Sequence, residues 1–106
     1  MKPKESSSKI GQAAEVLAEL HKKEDPSTSA VYLAEADDEI RLVEVSGSID
    51  TAGEILPFRF AANPEAGVEY PSVVVLLSPE EWERVDRGKL KLPRGWGSAK
   101  KLRKIA

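Results

Sequence analysis

A chain of 106 residues, 41% hydrophobic and 32% charged, can bury one core and little more. With no cysteine, disulfides, thiolate metal sites and cysteine nucleophiles are excluded, and no apolar run is long enough to span a bilayer. The net charge of −2 hides a division: residues 1 to 86 carry 8 basic and 18 acidic side chains, whereas residues 87 to 106 carry 8 basic and none acidic. An acidic body with a basic arm is open to an acidic partner of the arm, or to the arm folding onto its own body.

Residues 1–7 (MKPKESS) are polar and aperiodic, which predicts a mobile segment. They do not lead into a continuous apolar stretch of signal-peptide type, so the expectation is a cytoplasmic protein. From Ser8 onward Ile10, Ala13, Ala14, Leu17 and Leu20 fall on one helical face. This predicts a helix over 9–24, with His21, Lys22 and Lys23 suiting its last turn and Asp25-Pro26 ending it. Its apolar face is alanine-rich and calls for a sheet to lie on.

Strands are predicted at 30–36 and 39–46, joined as a hairpin through Asp37-Asp38. In the second, Ile40, Leu42 and Glu44 alternate with Arg41, Val43 and Val45, so both faces are partly apolar and the inward face is ambiguous. Asp37, Asp38 and Glu39 lack the ligand spacing of a calcium loop and read as a solvated turn. After a loop at 47–53, a third strand is predicted over 54–60 with Leu56, Phe58 and Phe60 on one face. Pro57 assigns it to a sheet edge or a bulge. The connection 61–71, with Asn63-Pro64 and Gly67, is the longest between strands and the loop best suited to carry function. Phe58, Phe60, Tyr70 and Trp82 are candidates either for a pocket beside it or for the core.

Val73 to Leu77 is an unbroken, mostly β-branched apolar run, expected as a strand over 72–78 buried on both faces. Ser78, Pro79 and Glu81 then spell a capping box with proline at the first helical position, and Leu77 is placed to pack on Trp82. This predicts a short helix over 79–87 that Gly88 can close. Beyond it, Leu90, Leu92 and Trp96 can cover the second face of the sheet. Residues 98–106, with Lys100, Lys101, Arg103 and Lys104, are expected to form a flexible basic tail.

The fold expected is therefore α+β: a single domain over 8–97, with an N-terminal helix on a mainly antiparallel four-stranded sheet, then a short capped helix and the basic tail. Strand order stays open, although sequence neighbours favour a meander. His21 is the one histidine, which excludes a zinc site of several histidines, and no phosphate-cradling glycine motif occurs. No catalytic constellation, cofactor or metal site is indicated, so the chain reads as a non-enzyme. The expectation is a protein-interaction or regulatory module without a membrane partner. The alternative is nucleic-acid binding through residues 87–106, their cations holding phosphates and Trp96 stacking on bases. Candidate partner-binding residues are Lys100, Lys101, Arg103, Lys104, Trp96, Asn63 and Tyr70.

Overall fold

A computed structural model of the chain describes residues 5–49, 55 and 57–106, with side chains from Lys9 onward. Of the segment expected to be mobile, residues 1–4 lie outside the described residues and 5–7 form the first turn of the first helix. That helix, α1, spans Glu5–Glu24. β1 (Thr28–Ala34) and β2 (Ile40–Ser46) follow, then β3 (Pro57–Phe60) and β4 (Ser72–Leu77). α2 (Pro79–Asp86) leads into an extended arm, a turn of 3-10 helix at Ala99–Lys101 and β5 (Arg103–Lys104). The predicted start of the third strand at 54 lies outside the described residues.

The five strands form one mixed sheet in the order β3-β4-β2-β1-β5. Antiparallel pairing joins β1 to β2, β1 to β5 and β3 to β4, but β2 and β4 run parallel, Ile40 opposite Ser72 through Val45 opposite Leu77. The sheet is mainly antiparallel as expected, three pairings of four, but it has five strands rather than four and its central pairing is parallel. β1, β2 and β4 carry apolar residues on both faces, and all three take places with a neighbour on each side. β3, led by Pro57, which has no N–H, goes to the edge as its proline requires. The chain passes from β2 to the edge and returns between β3 and β2, and that route makes the central pair parallel.

The second correction concerns the tail. Residues 98–106 are not a free extension. Ile105 donates to the carbonyl of Val31 at 2.9 Å, and Val31 donates to that of Ala106 at 2.9 Å. Arg103 and Lys104 pair with Leu33 and Tyr32. A two-residue polar strand has no sequence period of its own. The unpaired edge of β1 defines it, because backbone groups next to a buried strand need partners.

Each face of the sheet has its own core. On one, α1 sets Ile10, Ala13, Ala14 and Ala18 against Val31, Leu42 and Val74. On the other, Val43, Val73, Val75 and Leu77 meet Val85 of α2 and, from the arm, Leu92 and Trp96. The handover from β4 to α2 follows its sequence signals. The Ser78 hydroxyl accepts from the Glu81 amide at 3.2 Å, the Glu81 carboxylate accepts from the Ser78 amide at 2.9 Å, and Pro79 takes the first turn. Trp82 packs against the same core as Leu77 and stacks on Tyr32, ring centroids 4.3 Å apart. Positive φ at Gly95 and Gly97 (91° and 75°) forms the tight bends that turn Trp96 inward between them.

Candidate functional site

The side chains of α1, β2, β3 and β4 meet in a cleft of about 280 Å³ beside the C-terminal end of α1. Val74 and Leu76 of β4 help form it, and Phe58 and Phe60 of the edge strand flank them. Phe58 lies opposite Val74 and Phe60 opposite Ser72. Residues paired in this way share a face, so both rings stand on the α1 side of the sheet. They remain 47% and 51% exposed, and Val16 and Leu20 of α1 are also exposed, at 39% and 36%. Val16 reaches toward the loop that follows β3, its Cγ1 lying 3.7 Å from where a β-carbon on Gly67 would stand. One helical turn on, Leu20 continues that flank to Glu24, which borders the cleft.

At the closed end, Glu44 stands in the middle of β2 with only 4% of its surface exposed. Its carboxylate meets the Nδ1 atom of His21 in a short contact. That hydrogen bond raises the imidazole pKa above its usual value of 6.5, against the opposing effect of burial. The His21 ring also meets Phe60 edge-on, centroids 6.3 Å apart. Beside the pair, Asp25 accepts from the Ser27 amide (3.0 Å) and hydroxyl, and from the hydroxyls of Ser46 (2.8 Å) and Ser48 (3.0 Å). These donors, Ser27 first, hold its carboxyl down at about 2.

The arrangement can hold an apolar group against two aromatic rings next to carboxylates. The described hydroxyls nearby, those of Ser27, Ser46 and Ser48, are bonded to Asp25 and to one another rather than to His21. Among the described residues, no group of three or more potential ligands is placed to hold a metal ion.

The candidate residues read from the sequence do not converge here. Trp96 is only 7% exposed, with the Arg41 guanidinium 6.0 Å from its ring centre, so it offers no free face for a base. Trp82 belongs to the opposite face from Phe58 and Phe60, and Tyr70 packs half-buried against the α1-side core. The pocket suggested by those four aromatics is therefore not formed. The backbone of Asn63 turns the 61–71 loop, donating to the Val68 carbonyl at 2.7 Å and accepting from the Ala66 and Val68 amides. Lys100, Lys101, Arg103 and Lys104 are exposed and form no ion pair with a described side chain. The end of the arm is held by apolar side chains and backbone hydrogen bonds, and the Arg103 guanidinium lies beside Gly11 of α1.

Phe58 and Phe60 were visible in the sequence, but their exposure was not, because alternating aromatics in a strand look the same whether or not a helix covers them. The pairing of His21 with Glu44 crosses 23 positions and has no local signal beyond a glutamate in an apolar strand. Comparison with protein-family models, curated proteins and solved structures found no match.

Proposed function

We propose that the protein is an interaction module that binds another protein through the half of the α1-side sheet face that α1 leaves open. One observation carries this reading: two neighbouring phenylalanines are each about half exposed on a face otherwise closed by a helix. Half-exposing two such rings leaves on the order of 200 Å² of apolar surface in water, about 5 kcal/mol if fully buried. That only matches the lower end of association costs, so a partner must also cover Val16, Leu20 and Leu76. The test is a photo-crosslinking amino acid at position 60, with position 35, an exposed site past the end of β1, as control. A specific adduct from position 60 that disappears on Phe58→Ser is expected; adducts no different from those at position 35 overturn the reading.

Nucleic-acid binding through the arm is a second reading. In its favour, seven exposed or half-exposed arm cations, from Lys89 to Lys104, form no ion pair with a described side chain; the burial of Trp96 removes its stacking component. Replacing Lys100, Lys101 and Lys104 with glutamine keeps the backbone pairing of β5 and removes three charges. The salt slope of binding to DNA or RNA is then expected to fall by up to about three units. Absence of measurable affinity for either at low salt overturns this reading.

A further inference from the structure

From the open half-face we infer its occupant: an amphipathic α-helix of a partner protein, apolar along one stripe and carrying lysine or arginine at the end that lies beside Glu24 and Asp25. This rests on the interaction reading above and adds the shape, charge and orientation of what is bound. Shape comes from the sheet. α1 packs on β1 and β2; beyond it Ser72 and Val74 of β4 are buried, and the strip left open is Leu76 with Phe58 and Phe60 of β3, which one apolar stripe of a helix can cover. The free flank of α1 supplies a wall, with Val16 and Leu20 one turn apart, and the rings of Phe58 and Phe60 rise on the other side. Addition of a strand is disfavoured, since β3 is four residues long and opens with a proline that has no N–H.

Charge comes from the closed end. Glu24 and Asp25 border the cleft, Asp25 is held ionised by its serine donors, and among the described residues the one basic side chain at its border, His21, is already bound to Glu44. The nearest arginine in the edge strand, Arg59, lies opposite Val73 on the other face and approaches Glu39 at 3.8 Å. A cation at this end finds carboxylates. An anionic membrane surface would be repelled. A second copy has no spare helix to offer among the described residues, because α1 and α2 are both packed on their own sheet.

Three capped fifteen-residue peptides sharing one leucine stripe test this, their polar positions filled with lysine, glutamine or glutamate. Each is titrated into the isotope-labelled full chain at low salt, with the amides of Leu20, Phe58, Phe60 and Leu76 as reporters. The lysine peptide is expected to bind about tenfold more tightly than the glutamate one, with the gap shrinking in high salt and on Glu24→Gln. Phe58→Ser with Phe60→Ser should abolish the shifts while the amide spectrum away from β3 keeps its folded dispersion. Equal affinities for the three peptides overturn the charge assignment while leaving the docking face in place. If no peptide moves those amides although position 60 crosslinks to a partner, the helix is overturned and the interaction reading survives. Self-association lost with the two serine substitutions assigns the face to a second copy and overturns the proposal.

Discussion

The two faces of the sheet are covered to different extents. Behind β4 and β2, α2 and the arm close the surface, so that Val85, Leu92 and Trp96 are all buried. In front, α1 closes the half over β1 and β2 and stops, leaving Phe58 and Phe60 half in water. The sequences of the two faces are similarly apolar. What differs is how far the covering segments reach: α2 and the arm close one face, whereas on the other α1, Val68 and Tyr70 of the loop after β3, and the C-terminal Ile105 and Ala106 stop short of Phe58 and Phe60. Apolar residues on a strand therefore indicate a need for cover, and only the packing tells whether the chain itself supplies it.

The largest expected effect follows from this difference. Trp96→Ala should destabilise the fold by about 3–5 kcal/mol, whereas Phe60→Ala, an equally drastic truncation, should cost less than about 1 kcal/mol in the free protein. Urea melts of the two variants make the comparison, and equal losses would mean that the two faces are equally closed. Next comes the buried pair of the α1 face. His21→Ala leaves Glu44 in a nearly dry site without its partner, at a cost of about 2 kcal/mol, allowing for the partial exposure of the imidazole.

The same pair gives a pH dependence. Because the folded imidazole titrates above its ordinary 6.5, its contribution is fully present below about 6.5 and is lost as the pH rises through the raised value. The urea midpoint should therefore fall as the pH rises above about 6.5, and Glu44→Gln should flatten that slope. The smallest effect belongs to the well-covered face. Ser78→Ala removes one half of the capping box, for about 1 kcal/mol in the same urea melts, with α2 still held by Trp82 and Val85.

How legible these regions were in the sequence follows from where their information lies. The capping box at Ser78, the buried strand from Val73 to Leu77 and the edge place of Pro57 are written in short windows. The chemistry of a hydroxyl, a missing N–H or a β-branched run acts locally, and these features came through. The parallel pairing of β2 with β4 was not legible, because strand direction depends on the route between strands rather than on either strand. β5 was hidden for a related reason: Arg103 and Lys104 are a strand only because β1 has an open edge beside them. For the same reason, removing residues 98–106 to test the charges would also strip the edge of Val31, and glutamine substitutions are the cleaner change. The candidate face combined both difficulties, with visible residues, Phe58 and Phe60, and an exposure set by how far a distant helix reaches.

The contact between His21 and Glu44 also bears on how α1 sits. The helix meets the sheet mostly through Ala13, Ala14 and Ala18, with Ile10 and Leu17 as its longer side chains, and the alanines are too short to interlock deeply with the valines and leucines below. A smooth helix of this kind has little to stop it sliding by one residue, a shift of about 1.5 Å coupled to a turn of about 100°. The imidazole docked on a fixed carboxylate acts as a peg against that slip, since any other seating would strand Glu44 without a partner. The place where Val16 and Leu20 stand, and with it the breadth of the opening beside them, is thus set by one polar contact in an otherwise greasy seam.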